Sequence, residues 1–331
     1  MTETTVSIEG HTKTGAPFIS VPKKDVILDA TVLSTLMSCP RLTDFKFNHN
    51  LQSIKGKSNS LEVGNIVHKG LEIAYSSMIK GVKKSDAVGF GIMAAQLYAT
   101  GCPHCTDYTG EAKPSCGHQV NEYPGVRNTP LTNEGHYVGI NWAIQTLEQY
   151  FEHYKNDSWV SLEVETVKGK ILYEDDEIRV LWKAKLDWLV DTNSGILPVD
   201  HKTQKQKRPK IKLNNQFIGQ CLVMNTRNMI INNIGFQTTL KPQEKFTREM
   251  ISYSGDALIE WQSQILPYYA YKLIDHTEQN HWPPDFTHCE NKYGNCTFIE
   301  VCSSDRNMRE EVIRADFVKG PSWNPRNEPV E

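Results

Sequence analysis

The sequence predicts an α/β fold, in which helices pack against a β-sheet. Apolar residues recur at helical spacing in two early segments, 29–48 and 61–79. Between residues 160 and 200 the period changes, and the β-branched and aromatic content becomes that of successive strands. Helical and strand-like segments then alternate as far as residue 276. This order of elements indicates a sheet with helices packed on it.

The helices are expected to begin and end at recognisable signals. Asp29 precedes the first apolar repeat and is the expected N-cap. The sequence Cys39-Pro40-Arg41 interrupts the segment that follows. Helices are expected at residues 29–48, 61–79, 87–100, 141–154, 214–225 and 254–276.

The strands are bounded by turn-forming residues. Turns are expected at Glu174–Asp176 and at Thr192–Ser194. Strands are expected at residues 160–167, 170–173, 178–190, 195–199 and 229–240. Because the second turn is short, the strands on either side of it should form a hairpin.

Bulk composition excludes some classes of protein. No stretch approaches the roughly 18 apolar residues of a membrane span, and Met1–Lys24 lacks the apolar core of a signal peptide. We therefore expect a cytoplasmic protein. The formal net charge of −3 over 331 residues gives no global argument for a polyanionic partner.

One local run of basic residues stands out against this charge. Its members are Lys202, Lys205, Lys207, Arg208, Lys210 and Lys212. Such a run is more often a solvated loop than a contact for nucleic acid, and both interpretations stay open.

The predicted hairpin carries residues suited to phosphodiester hydrolysis. Asp187 lies near the end of one strand, and Asp200 follows thirteen residues later on the next, so the two carboxylates can lie side by side. Lys202 is two residues beyond Asp200 and points to the same face. Two carboxylates can bind Mg²⁺ or Mn²⁺, and an ammonium can orient water and offset developing charge. The alternative is a surface hairpin with an ordinary Asp–Lys ion pair.

Asp187, Asp200 and Lys202 resemble the second and third motifs of the PD-(D/E)XK nuclease superfamily. Upstream, Gly64-x-x-x-His68-x-x-x-Glu72 resembles the helical first motif of its RecB-type branch. Spacings of four place these three residues on one helical face. The resemblance implies a metal-binding or substrate-contacting role for His68.

Downstream, the segment Asn215–Gln220 resembles the Gln-x-x-x-Tyr motif of the same family, with Gln220 standing where tyrosine is expected. The resemblance implies that Gln216 supports the active site from a helix. It also implies a mixed central β-sheet flanked by helices, as in restriction endonucleases. Metal ligation would fall to His68, Asp187 and Asp200, and Lys202 would position the attacking water.

Four cysteines, Cys39, Cys289, Cys296 and Cys302, lie on either side of these motifs. One upstream and three downstream cysteines resemble the iron–sulfur subset of RecB-type nucleases, which includes CRISPR-associated adaptation nucleases and bacteriophage relatives. The resemblance implies a [4Fe–4S] cluster that ties the C-terminal segment to the first helix. Six residues separate Cys289 from Cys296, where two are usual in the family. A Cys₄ zinc site and unligated thiols are the alternatives.

A second group of metal-ligand residues falls between the helices. Cys102, Cys105, Cys116 and His118 have the spacing of a structural zinc site. His104 or His136 could replace His118. The metal would order an insertion, residues 101–135, that has few aliphatic residues of its own. The remaining cysteine, Cys221, has apolar neighbours and is expected in the core.

Together these features predict a metal-dependent DNA nuclease with three cofactors: Mg²⁺ or Mn²⁺, an iron–sulfur cluster and zinc. The expected organisation is a flexible tail at 1–26, a nuclease domain at 27–310 that contains the insertion, and a C-terminal tail at 311–331. By analogy with relatives, an exonuclease acting on DNA ends or single strands in recombination, repair or replication is expected. A prokaryotic cell or a phage-infected host would be its setting. The rival is a non-catalytic nucleic-acid-binding or recombination-assembly protein that keeps the fold.

Overall fold

The computed structural model describes residues 10–11, 17–18, 23–54, 59–100, 135–204, 213–236, 241–291 and 294–320. The helices are α1 Ala30–Ser38, α2 Pro40–Thr43, α3 Asn59–Ile79, α4 Lys84–Thr100, α5 Gly135–His153, α6 Asn215–Val223, α7 Pro242–Lys245, α8 Gly255–Glu260, α9 Leu266–Glu278, α10 Ile299–Ser303 and α11 Arg309–Asp316. Two π-helical turns, Asp44–Asn48 and Trp261–Ile265, and a 3₁₀ turn, Phe286–His288, complete the helical elements of these residues.

The strands form one large sheet and three small pairs. They are β1 Gly10–His11, β2 Pro17–Phe18, β3 Lys24–Leu28, β4 Leu51–Ser53, β5 Val160–Glu174, β6 Ile178–Thr192, β7 Gly195–Gln204, β8 Asn228–Gly235, β9 Phe246–Ser252, β10 Glu290–Asn291, β11 Gly294–Asn295 and β12 Phe317–Lys319. The large sheet has the order β3-β6-β7-β8-β9, with β5 also paired to β6. It is mixed, because β3 pairs with β6 and β7 with β8 in parallel, whereas the other neighbours are antiparallel. The expected α/β class with a mixed sheet flanked by helices is confirmed.

Strand β6 is central to the sheet, because its fifteen residues pair with three other strands, β3, β5 and β7. Strand β5 pairs along its length. Strand β3 pairs with the first part of β6, as far as Trp182, and β7 pairs with the last part, from Trp188 onwards. Residues 183–187 lie between these two ladders, and Asp187 is the last of them.

Two clusters of buried side chains hold the helices on the sheet. Trp182 belongs to the cluster under α1, α6 and α9, together with Leu33, Phe217 and Leu266. Trp188 belongs to the cluster under α3 and α5. Each fully buried tryptophan removes a large apolar surface from water, so the two halves of β6 are strongly fixed against the helices.

Four of the six predicted helices begin within two residues of the expected start, whereas α4 begins three residues and α5 six residues earlier than expected. The Asp29 carboxylate accepts a hydrogen bond of 2.7 Å from the Val32 N–H, which confirms the N-cap. Helix α1 ends at Ser38, before the predicted interruption at Cys39-Pro40-Arg41. The prediction for Cys221 is also confirmed, since it is fully buried and burial raises the pKa of its thiol to about 12.

Three strands differ from the sequence prediction. Residues 160–173 form one continuous strand rather than two, and β7 continues to Gln204 because it gains a second partner in β8. Strand β9 was not predicted. It lies at the edge of the sheet, where its side chains alternate less clearly between apolar and polar.

The expected tail boundaries at residues 26 and 310 both fall inside folded elements. Strand β3 starts at Lys24, and β1 pairs with β2 still earlier. At the other end, α11 spans the boundary and β12 pairs with β4. No helix among the described residues is long and apolar enough to cross a membrane.

Candidate functional site

The candidate site lies where β6 and β7 separate. Their antiparallel ladder reaches Trp188 and Val199, and the next pair in register would be Asp187 and Asp200. From this point on, β7 pairs with β8 and no longer with β6. The His201 N–H donates to the Asp187 carboxylate at 2.8 Å. The two aspartates therefore lie on neighbouring strands, as the predicted hairpin requires, at the point where the two strands separate.

Asp200 forms a closed group with two other predicted residues. Its carboxylate is completely buried and lies 2.6 Å from the Lys202 ammonium. The Gln216 amide donates to its other oxygen at 2.6 Å, and Lys202 donates to the Gln216 carbonyl oxygen at 3.2 Å. Asn214 caps α6 by accepting from the Gln216 N–H. The helix start thus holds Gln216 in contact with Asp200.

A second group contains His68 from α3, Asp187 from β6 and Glu165 from β5. One ligand atom from each lies within 4.8 Å of the other two, and all three side chains are half-buried. A His68 ring nitrogen, Nδ1, is 3.8 Å from the Asp187 carboxylate. The His201 carbonyl accepts a hydrogen bond from the His68 ring, which fixes the ring as second-sphere carbonyls do in metal sites.

The close approach of α3 to the sheet positions His68. Gly64, one turn before His68, packs so tightly on β7 that a Cβ there would come within 2.7 Å of the Thr203 hydroxyl. Glycine at this position therefore lets the helix approach the strand. Glu72, the last residue of the predicted motif, pairs with Lys69 at 3.1 Å and is not part of the His68 group.

Glu165 was not identified from the sequence. It lies opposite Asp187 in the β5–β6 register, so that Glu165, Asp187 and Asp200 occupy neighbouring positions across three strands. Its φ is +53°, a left-handed conformation that is uncommon for a non-glycine residue in a strand. Its carboxylate pairs with Lys185 at 2.5 Å. The available signal was the alternation of the strand, which leaves Glu163 and Glu165 on the face away from its apolar residues.

Electrostatics at the site are those of crowded carboxylates. Burial raises the pKa of Asp187 well above its usual range, and the neighbouring Asp200 and Glu165 carboxylates raise it further. Burial lowers the pKa of His68, although Glu165 and Asp200 oppose this change. A neutral imidazole beside carboxylates is a donor set that can hold a divalent cation.

A cleft of about 450 Å³ opens beside Asp187. It is lined by the start of α1, by residues 182–185 of β6 and by Gln216 and Gln220 of α6. Gln220 is 1% exposed and donates to the Lys185 carbonyl at 3.0 Å, while its own carbonyl oxygen has no hydrogen-bond partner among the described residues. The cleft is polar and reaches Asp187, so it can admit a polar ligand to the site.

His201 anchors β7 from behind the two aspartates. It is buried against Trp188, and its Nδ1 lies 2.8 Å from the Asn232 amide. Asn232 in turn donates to the Tyr150 hydroxyl at 2.8 Å. Burial lowers the pKa of His201 well below its usual range, so the ring is neutral. The network holds the backbone N–H and C=O that contact Asp187 and His68.

The four cysteines predicted to bind a cluster line a single cavity of about 250 Å³, although they are far apart in sequence. Cys39 lies between α1 and α2, and its sulfur accepts a hydrogen bond of 3.3 Å from the Asp285 N–H. Cys289, Cys296 and Cys302 come from the C-terminal segment. No three of these sulfurs all lie within 4.8 Å of one another in the described chain. Four thiols around one cavity can hold a metal cluster or a metal ion.

Two sets of predicted residues lie outside the described residues. They are the zinc ligands Cys102, Cys105, Cys116 and His118, with the alternative His104, and the basic residues Lys205, Lys207, Arg208, Lys210 and Lys212. His136 lies in α5, but its side chain is also outside the description. No protein-family model matches the chain, and no curated protein matches it.

Proposed function

We propose that the protein is a metal-dependent DNA nuclease. The observation that carries this proposal is the convergence of Asp187, Asp200, Lys202, Gln216 and His68 at the point where β6 and β7 separate. An ordinary surface ion pair, the alternative for the Asp–Lys triplet, would not have its carboxylate fully buried. The resemblance to PD-(D/E)XK nucleases supports the same assignment.

His68, Asp187 and Asp200 would hold Mg²⁺ or Mn²⁺. Carboxylate oxygens are the ligands that these hard cations prefer, and a neutral imidazole also suits Mn²⁺. When bound, the metal supplies Lewis acidity to a phosphoryl oxygen and makes a bound water more acidic. His201 contributes by its backbone, which orients Asp187 and His68.

Lys202 would position the attacking water and offset negative charge as it develops on the phosphate. Its ammonium lies between Asp200 and Gln216. Its side chain is 40% exposed, so it can reach toward the substrate. Gln216 would hold both Lys202 and Asp200 in place from the start of α6.

DNA ends or single strands are the proposed substrates, in recombination, repair or replication. The cleft beside Asp187 is a route by which a single strand could approach the site. The basic run that starts at Lys202 would neutralise backbone phosphates. The preference for ends rests on the family resemblance alone.

We propose that Cys39, Cys289, Cys296 and Cys302 hold a [4Fe–4S] cluster with a structural role. The support for this proposal is that four thiols from distant parts of the chain line one cavity of about 250 Å³ and could supply the four ligands of a cluster. Iron and sulfide each near four per chain in anaerobically purified protein, both lost in Cys296→Ala, would support it. Zinc in their place would refute it.

The zinc site of Cys102, Cys105, Cys116 and His118 remains a proposal from the sequence. It would order the segment 101–135. Metal analysis of a variant with Cys102 and Cys105 both changed to serine tests it. The variant should lose one zinc per chain and keep its iron.

A non-catalytic nucleic-acid-binding protein is the second candidate. Gln220 favours it, because this residue stands where the family has tyrosine. The intact Asp187, Asp200 and Lys202 arrangement favours the nuclease more strongly, since binding alone requires no buried carboxylate beside an ammonium.

The deciding experiment incubates anaerobically purified protein with end-labelled single- and double-stranded DNA in Mn²⁺, Mg²⁺ or EDTA. Asp200→Ala is the paired variant. Cleavage that needs metal and disappears in the variant, with DNA binding retained, would support the nuclease. DNA binding without cleavage under all conditions would replace it with the second candidate.

A further inference from the structure

We propose that Glu165 is a direct ligand of the catalytic metal, in addition to His68, Asp187 and Asp200. This inference rests on the proposed nuclease function and names a residue that the motifs do not include. The site would then draw one ligand from each of three neighbouring strands and one from α3. Glu165 would face the metal from β5, across Asp187 from Asp200.

The geometry of the described residues supports this role. Ligand atoms of Glu165, His68 and Asp187 lie within 4.8 Å of one another, and all three side chains are half-buried. An octahedral ion with metal–oxygen distances of about 2.0–2.1 Å holds adjacent ligands about 2.9 Å apart and opposite ligands about 4.1 Å apart. The three ligand atoms would therefore move slightly closer together to bind one ion. Asp200, by contrast, has both oxygens held by Gln216 and Lys202. The Glu165 carboxylate therefore lies closer to the other candidate ligands, whereas the Asp200 oxygens contact Gln216 and Lys202.

The backbone at Glu165 is consistent with a functional constraint. Its φ of +53° departs from the extended conformation of a strand and costs free energy for a residue with a Cβ. An ion pair with Lys185 is the other explanation for its position. The Lys185 side chain is 46% exposed, and exposed ion pairs return less free energy than such a backbone costs. The ion pair alone therefore does not account for the conformation.

Lys185 has a role that follows from the proposal. Its ammonium neutralises Glu165 when no metal is present. A divalent ion would take over that neutralisation, and Lys185 would be released toward the cleft that it lines. Removing Lys185 should therefore preserve or strengthen metal binding, whereas removing the Glu165 carboxylate should weaken it.

The test counts free Mn²⁺ by electron paramagnetic resonance during titration of the complete, anaerobically purified protein. Glu165→Gln keeps the shape and removes the charge, and we expect at least about a tenfold weaker Mn²⁺ affinity. Glu163→Gln is the matched control, because Glu163 lies on the same strand and also pairs with a lysine, Lys168 at 2.7 Å. It should bind Mn²⁺ as the unmodified protein does.

Two further variants separate a ligand from a structural residue. Glu165→Gly relieves the positive φ, so it should fold at least as well in EDTA while binding Mn²⁺ weakly. Lys185→Met breaks the ion pair and keeps the carboxylate. If Lys185→Met weakened Mn²⁺ binding as much as Glu165→Gln, the ion pair and not ligation would explain the effect, and the proposal would be overturned.

The outcomes also separate this proposal from the nuclease itself. Metal-dependent cleavage together with equal Mn²⁺ affinity in Glu165→Gln and unmodified protein would overturn the role of Glu165 and leave the nuclease standing. If Mn²⁺ binding depended on Glu165 but the protein never cleaved DNA, the nuclease would be overturned and the role of Glu165 as a metal ligand would stand.

Discussion

Two partly buried clusters of charged residues differ in how their charges are balanced. One surrounds Arg248 and the other lies at the β6–β7 gap, and hydrogen bonds through Tyr150, Asn232 and His201 connect them. Around Arg248, on β9, the guanidinium meets Asp157 at 2.5 Å and lies 3.8 Å from the Tyr154 ring centre and 3.9 Å from that of Trp159. One cation, one carboxylate and two aromatic faces compensate one another. Burial opposes the charge of Arg248, yet the surrounding tyrosines and Asp157 raise its pKa above the usual value.

The β6–β7 gap has the opposite character. Among the residues that the structure describes, three carboxylates, Glu165, Asp187 and Asp200, lie beside two ammonium groups, Lys185 and Lys202. Burial raises the pKa of Asp187 well above its usual range, and the neighbouring Asp200 and Glu165 carboxylates raise it further. Arg248 is balanced by partners within the chain, whereas the proposed function would add a cation to the carboxylates of the gap. We therefore expect mutations around Arg248 to change mainly the stability, and mutations at the β6–β7 gap to change mainly the function.

The largest effect on stability should come from Arg248→Met. It leaves the half-buried Asp157 without its cation. Breaking a fully buried pair typically costs about 3–5 kcal/mol, and we expect about 2–3 kcal/mol for this partly buried one. Urea unfolding followed by circular dichroism measures the loss. Arg314→Met is the control, because Arg314 pairs with Glu310 on the surface and its loss should leave the unfolding midpoint unchanged. Equal midpoints for Arg248→Met and the unmodified protein would contradict the contrast between the two regions.

A large effect on the rate of the chemical step is expected for Lys202→Ala. Loss of a group that stabilises transition-state charge typically slows the chemical step by about 10²- to 10³-fold. Single-turnover cleavage of end-labelled DNA measures it, with Lys155→Ala, an exposed lysine beside Glu152, as the control. Because Lys202 does not ligate the metal, Mn²⁺ affinity should not fall. A parallel fall in affinity would assign Lys202 to the assembly of the metal site instead.

Asp187→Asn in EDTA should raise the stability of the protein, by less than Arg248→Met lowers it. The folded-state pKa of Asp187 is raised, so its contribution to stability is present when it is protonated and is lost as pH rises through that pKa. Asparagine removes the repulsion, and the melting temperature at neutral pH should rise by roughly 2–4 °C. The gain should vanish toward pH 4, where the unmodified carboxyl is protonated.

Asp191→Asn is the control for this prediction, since Asp191 lies on the same strand but is exposed. Saturating Mn²⁺ should reverse the order, because the ion stabilises only the protein that binds it tightly. A variant less stable than the unmodified protein in EDTA would show that the hydrogen bond from His201 outweighs the repulsion.

How much of this site the sequence could predict depends on register. Asp200 and Lys202 are two residues apart, so their shared face follows from strand periodicity alone. Glu165 depends on an irregularity between Ile171 and Tyr173, which shifts the β5–β6 pairing by one residue. Without that shift Thr166 would lie opposite Asp187. A single inserted residue exchanges the two faces of a strand, and no composition or motif signals it.

The four cysteines and His201 also differ in how far the sequence could predict their positions. Four thiols could be grouped from the resemblance, because their order along the chain matches that of the iron–sulfur nucleases. The hydrogen bonds of His201 to Asn232, and from there to Tyr150, join β7, β8 and α5. Contacts between such distant segments arise from packing, so local sequence pattern does not predict them.

The smallest effect is expected for Gln220→Met, at the residue where the resemblance to the Gln-x-x-x-Tyr motif fails. The substitution removes the hydrogen bond to the Lys185 carbonyl, which costs about 1 kcal/mol, but it also removes a buried oxygen with no partner among the described residues. These terms offset, so the free energy of unfolding measured in urea should change by less than about 1 kcal/mol. If the oxygen serves substrate in the cleft, KM for DNA should rise while kcat holds. A loss of stability above about 2 kcal/mol would instead mean that the oxygen has a structural partner in solution.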